Sequence, residues 1–182
     1  MKTHRASFVT MMVAVALVSG CASAHHHPKA NVKIETHSQK ITPFLWFDSQ
    51  AQEAAAFYTS VFKHSRIIAS NPMSATFELA GVEFMALNGG PQFKFTPAIS
   101  FFVKCETQAE IDYHWEKLCA GGEPGRCGWL KDKFGVSWQI VPPVLGQLLG
   151  DKDPAKAKRV ADAMLQMSKL DINQLKAAAE GK

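Results

Sequence analysis

The sequence predicts an α+β fold made of two tandem strand–helix–strand–strand–strand units, followed by C-terminal helices. Three observations carry that reading. The chain matches itself at an offset of 58 residues. Each copy opens with a strand-like run that leads directly into a capped, amphipathic helical pattern. Each copy then continues in short β-branched and aromatic runs separated by turn residues. The expected product is a curved, cup-like mixed or antiparallel sheet with helices outside. At 182 residues the chain is long enough for one such domain with a substantial core.

Residues 1–20 have the form of an export signal. Lys2, His4 and Arg5 give a basic start, and Ala6 to Val18 is an apolar run shorter than the roughly 20 residues that span a bilayer. Leu17-Val18-Ser19-Gly20-Cys21 resembles the lipobox of bacterial lipoproteins, in which the thiol is diacylated and the chain is cut before the cysteine. The resemblance implies lipidation at Cys21 and a lipid anchor in the bacterial cell envelope. Ala22 rather than Asp after Cys21 resembles lipoproteins sent to an outer membrane, which implies its periplasmic face. The alternative is an ordinary secretory peptide cut near Ala22 or Ala24. Residues 21–39 read as a lipid-anchored flexible linker. His25-His26-His27 within it is either a weak transition-metal tract or simply part of a solvated tether.

Removing Lys2 and Arg5 with the signal lowers the formal charge from +4 to +2, too little for a nucleic-acid partner. Cys105, Cys119 and Cys127 remain beyond Cys21. An odd count in an exported chain leaves at least one thiol free or pairs it between chains.

The duplicated domain is expected over residues 40–142. Ile41 aligns with Ile99, Thr42 with Ser100, Phe44 with Phe102 and Leu45 with Val103, and the register runs without a gap to Phe57/Trp115. Ser49 with Gln52, and Thr107 with Glu110, fit the capping box that starts a helix. The first helix carries a stripe of Ala51, Ala54, Ala55, Tyr58, Val61 and Phe62; the second carries Ile111, His114, Trp115, Leu118 and Cys119, ended by Gly121-Gly122. His114 on that stripe reads as a packed residue. Ser65 to Ser70, Ala75 to Leu79 and Val82 to Leu87 read as strands, with turns at Asn71-Pro72 and Ala80-Gly81. After the second helix come a short strand near Glu123-Pro124-Gly125 and a hairpin turning at Asp132 to Gly135. In its second strand Val136, Trp138 and Ile140 share one face, and Ser137, Gln139 and Val141 the other. Pro142-Pro143 ends that strand. Residues 143–182 form the helical extension. Asp153-Pro154 and Asp171 start helices there, and the apolar stripes could clasp a second subunit, so a homodimer is expected.

The duplication also separates the faces of the opening strands. Ile41/Ile99, Pro43/Phe101, Leu45/Val103 and Phe47/Cys105 are apolar in both copies and belong under the helices. Thr42/Ser100, Phe44/Phe102 and Trp46/Lys104 form a mixed aromatic and polar face of the kind that lines a ligand pocket.

Two such units resemble the vicinal oxygen chelate superfamily of glyoxalases, extradiol dioxygenases and bleomycin-resistance proteins, and within it the PhnB-like family. The resemblance rests on Ile41 to Asp48, Ala56-Phe57-Tyr58, Phe84 to Pro91, Ala98 to Val103 and Cys127 to Pro142, and it covers roughly residues 40–175. Metal-dependent members hold a divalent ion with His and Glu from the opening and later strands. At the matching positions this chain offers only Thr42 and Ser100, with Glu83 near a ligand position and Gln139 where Glu is usual. Glu83 and Gln139 are thus weak metal candidates, and no cofactor is expected. The duplicated mixed face together with this depleted ligand set points to a metal-independent small-molecule pocket between the two sheets, lined by Thr42, Phe44, Trp46, Glu83, Ser100, Phe102, Trp129 and Gln139. Two alternatives stand beside it: a metal-dependent lyase or dioxygenase, and an interaction protein with a vestigial pocket. Some members carry a methyltransferase label, but no Gly-rich strand-to-helix loop supports methyl transfer here.

Overall fold

The two sequence copies fold as two four-stranded sheets of matching strand order. The structure, a computed structural model, describes residues 39–182; the export signal, Cys21 and His25–His27 lie outside the described residues. The first copy comprises strand β1 (Phe44–Phe47), helix α1 (Ala51–Val61) and strands β2 (Arg66–Ser70), β3 (Ser74–Leu79) and β4 (Val82–Asn88). The second comprises β5 (Phe101–Lys104), α2 (Gln108–Cys119), β6 (Glu123–Pro124), β7 (Trp129–Lys131) and β8 (Ser137–Val141). Helices α3 (Pro143–Leu149), α4 (Pro154–Gln166) and α5 (Ile172–Glu180) complete the chain. The sheet orders are β1-β4-β3-β2 and β5-β8-β7-β6. In each, the opening strand lies parallel to the last strand of its unit and the remaining pairs are antiparallel. This is the predicted α+β fold with C-terminal helices.

The two helices start differently. Thr107 accepts from the Glu110 N–H while the Glu110 carboxylate accepts from the Thr107 N–H, so the predicted capping box forms on α2. The matching Ser49 caps nothing on α1. Instead Asn88 Oδ1, at the end of β4, accepts from the Ala51 N–H at 2.8 Å. The Asn88 amide also donates to Gln52 Oε1 and to the Pro72 carbonyl, which draws Gln52 away from any reciprocal cap.

One core joins both copies. Ala51, Ala54, Ala55, Tyr58 and Val61 bury the α1 stripe against β3 and β4, and Phe77 beneath it is fully buried. Complete burial of side chains this size is worth about 1.5–3 kcal/mol each. From α1, Tyr58 also packs on Trp138 of the second sheet, with ring centroids 5.4 Å apart. Ile111 and Leu118 bury α2, whereas His114, Trp115 and Cys119 stay half-buried. Of the predicted core face, Leu45, Phe47 and Cys105 are buried and Phe101 and Val103 partly so. Ile41 and Ile99 are 87% and 77% exposed, because the strands begin only at Phe44 and Phe101.

The C-terminal helices build a second cluster from Val160, Leu170, Leu175 and Ala179, closed against Val141 and Leu145. Backbone bonds seat it: the Cys127 and Gly128 N–H groups donate to the Met167 and Ser168 carbonyls, each at 2.8 Å. The cluster covers Val141, and Ser137 on the same strand face is also buried. The face of β8 opposite Trp138 is therefore dry except at half-buried Gln139. Asp153 and Asp171 cap α4 and α5 as expected, and α5 runs to Glu180. Among the described residues no helix is long and apolar enough to cross a membrane.

Candidate functional site

The eight residues expected at a pocket fall into two groups, one on each sheet. On the second sheet Phe102 and Trp129 are the register partners of Gln139 on its two sides, so all three share a face. Gln139 Nε2 donates to Ser100 Oγ at 2.8 Å, completing that group. On the first sheet Phe44 lies across from Met85 and Trp46 from Leu87; continuing the register sets Thr42 beside Glu83. Gln39 extends this edge by donating to the Glu83 carbonyl and accepting from its N–H, both at 2.9 Å. Trp46 Nε1 donates to the Gly90 carbonyl, and its ring meets Phe93 edge-on at 5.0 Å. Any Cβ at position 89 would sit 2.2 Å from the Trp46 ring, which is why glycine stands there.

No hydrogen bond joins the two groups among the described residues. Phe44 and Phe102 are each 55% exposed, so both faces are open within one chain. Glu83 and Gln139, the two weak metal candidates, stand on different sheets. Among the described residues no group of three or more His, Cys, Asp or Glu side chains could hold a metal ion. Thr and Ser hydroxyls are poor ligands, so the donor set of one chain does not fit a catalytic divalent ion.

The larger cavity, about 1150 Å³, opens between the two units, and of the eight residues only Phe102 lines it. Its deep walls are Val61 from α1, Leu79 and Phe84 from the first sheet, and Phe101 and Trp138 from the second. Phe84 meets Phe101 edge-on at 5.1 Å, and Phe62 stacks on Trp138 at 5.4 Å. Phe62, the C-cap residue of α1, carries the lining across to Trp138 of the second unit. Trp138, which shares the apolar face of β8 with Val136 and Ile140, is 3% exposed and forms a wall as well. A smaller cavity of about 290 Å³ takes Trp46 together with Phe95 and Phe134.

One buried carboxylate ties the units together. Asp132, in the hairpin turn, is 2% exposed and accepts four hydrogen bonds. Its Oδ2 takes Tyr58 Oη from α1 and Trp138 Nε1 from β8, each at 2.8 Å; its Oδ1 takes the Phe134 and Val136 N–H groups. Burial pushes the Asp132 carboxyl above its ordinary pKa, against the opposing pull of these donors. Burial, then the neighbouring Asp132, raises the Tyr58 phenol. Asp132 had only a turn role in the sequence. The signal that could have found it is an Asp beside a turn whose hairpin also carries a Trp needing an acceptor.

Cys105, Cys119 and Cys127 are all free thiols. Burial, helped by Glu110 and Glu106, pushes Cys105 up to about 12, so it is a protonated core residue and not a nucleophile. His114 Nδ1 lies 2.9 Å from the Glu110 carbonyl and 3.7 Å from Cys105 Sγ, a packed arrangement that also borders the large cavity.

The family model described as 3-demethylubiquinone-9 3-methyltransferase matches residues 39–141, more than half of the chain. The chain belongs to this PhnB-like family of the vicinal oxygen chelate superfamily. Among solved structures, this PhnB-like chain is similar to the PhnB protein from Bacillus cereus, at 41% identity and a TM-score of 0.53, over 57% of this chain and 99% of that one. It is also similar to a protein from Staphylococcus aureus, at 31% identity and a TM-score of 0.25, over 56% and 94% of the two chains. A third similarity is to the fosfomycin resistance protein FosX from Listeria monocytogenes, solved with Mn(II) and sulfate, at 17% identity and a TM-score of 0.44, over 56% and 86%. No curated protein matches the chain. The family match ends at Val141, so α3 to α5 lie beyond it.

Proposed function

We propose that this PhnB-like chain is a metal-independent small-molecule-binding protein whose site is the cavity between its two units. The supporting observation is the cavity itself, with aromatic walls from both sheets. Its volume of about 1150 Å³ slightly exceeds the roughly 300–1,000 Å³ usual for ligand pockets, as its open mouth explains. Partly exposed Phe101 and exposed Phe102 supply apolar ring surface for an organic ligand, with buried Phe84 and Trp138 closing the cavity behind them. Methyl transfer is disfavoured, because the turns from β1 to α1 (Asp48–Gln50) and from β5 to α2 (Cys105–Thr107) contain no glycine for close approach of a nucleotide-type cofactor.

Titration with N-phenyl-1-naphthylamine, a neutral apolar fluorophore, tests this. The expected result is saturable binding of one probe per chain, unchanged by EDTA and lost in Ala109→Trp, which fills the cavity from an exposed position. Absence of saturable binding, or binding that needs a divalent ion, overturns the reading.

The same proposal sets the chain in the bacterial envelope, held by a lipid on Cys21 and facing the periplasm from the outer membrane. The motif Leu17 to Cys21 supports this, and Cys21→Ser should move the protein from the membrane fraction to the soluble one. Pairing of two copies is also proposed. The open sheet faces around Phe44 and Phe102 match one another under the repeat, so one copy's first face can meet the other's second. Sedimentation equilibrium should report a dimer that Phe44→Glu weakens.

A further inference from the structure

The large cavity is apolar at its deep end, and its charged lining residues are all exposed. Val61, Leu79, Phe84 and Trp138 form its deep end, each 6% exposed or less. Lys63, His64, Lys104, Glu110 and Tyr113 line it as exposed residues, which places them toward solvent. Two of these polar groups are already engaged. The Glu110 carboxylate, the one acid on the lining, accepts from the Glu106 and Thr107 N–H groups in the α2 capping box. The Tyr113 hydroxyl donates to the Val61 carbonyl. Lys63 and Lys104 differ: neither ammonium group makes a salt bridge or a hydrogen bond among the described residues. Two unpaired cationic donors therefore stand over a deep apolar slot.

We propose that the cavity takes an amphiphilic monocarboxylate, with its chain or fused ring among Phe84, Phe101 and Trp138 and its acid head met by Lys63 and Lys104. This rests on the reading that the cavity binds small molecules, and adds the class of ligand. An apolar body removes water from the aromatic walls, and a carboxylate gives the ammonium groups the acceptor that the protein does not supply. A cationic amphiphile would meet two like charges, and a neutral one would leave both lysines unpaired.

Calorimetric titration of the full chain with decanoate, decan-1-ol and decyltrimethylammonium, each below its micellar concentration, tests the class. Decanoate is expected to bind at least about tenfold more tightly than decanol, with the cationic probe weakest. The double variant Lys63→Gln/Lys104→Gln, altering two exposed side chains, should bring decanoate down to the level of decanol. Ala109→Trp should weaken both. If decanol binds as tightly as decanoate and Ala109→Trp abolishes both, the small-molecule site stands and the carboxylate class falls. If no probe binds, both fall. Decanoate binding that ignores the lysine substitutions overturns the proposed head position. A self-association that Ala109→Trp disrupts would assign the cavity to a second copy and overturn the proposal.

Discussion

Helix α1 takes its cap from a strand 37 residues away, whereas α2 caps itself within four residues. The contrast extends through both copies of the repeat. In the first unit β2, β3 and β4 form a broad three-strand meander, and α1 is organised by tertiary partners: Asn88 at its start, Phe77 beneath it and Asp132 beyond its Tyr58. In the second unit the three later strands are shorter, β6 having two residues, and local devices and the C-terminal helices hold it. Equal topology thus hides unequal dependence on distant contacts. The first unit should lose its helix when a remote residue changes; the second should lose mainly what was altered locally.

Breaking the shared element should have the largest effect. Asp132→Ala removes the acceptor of four donors and leaves the Trp138 and Tyr58 groups buried without partners. A loss of about 3 kcal/mol or more is expected by urea denaturation, with both units affected together. Asp132→Asn can still accept the two backbone N–H groups, but its amide faces the Trp138 N–H, which cannot accept a hydrogen bond. It should cost about 1–2 kcal/mol at neutral pH. The pair also gives a pH test. Because the folded-state pKa of Asp132 is raised, the native state binds more protons than the unfolded chain between the ordinary carboxylate pKa and the raised value. Wild-type stability from this group therefore falls as pH rises through that window and is level above it. Asp132→Asn should lack this component, so its deficit relative to wild type should be greatest at the acid end.

A second break belongs to the later unit alone. Gly128 has φ of +84°, and a Cβ there would approach the Ile140 carbonyl at 2.8 Å and Leu170 at 3.0 Å. Gly128→Ala should destabilise by about 1–3 kcal/mol. Hydrogen exchange should show faster opening of α5, which packs around Leu170, while β2 to β4 keep their protection.

The fold was legible for reasons these residues illustrate. Strand and helix periods, the repeat register and the turn at Ala80-Gly81 are local properties, and both turn residues do adopt positive φ, at 48° and 85°. The α2 capping box is equally local. What depends on the meeting of distant segments was not legible. Ser49 carries the same pattern as Thr107, but Asn88 reaches the N-terminus of α1 first. Phe101 and Trp138 read only as members of apolar strand faces, because alternation along a strand says which way a side chain points and not whether the opposing layer fills the space. The cavity takes its lining from both sheets and both helices, a meeting that no single strand encodes. The aromatic and polar residues chosen for a pocket do gather, but as one group on each sheet.

The smallest effects belong to the two helix starts. Asn88→Ala should cost about 1–2 kcal/mol, since it strips the cap of α1 and the link to Gln52 in one change. At the repeat-equivalent cap positions, Thr107→Ala should cost about 1 kcal/mol and Ser49→Ala no more than a few tenths of that, because Ser49 makes no capping bond. Urea midpoints for the three variants, read against an unchanged slope, decide the matter. A Ser49→Ala cost equal to that of Thr107→Ala would mean that both helices are started by their own sequence. The long-range role given to Asn88 would then fail, and with it the claim that the first unit is held from outside its helix.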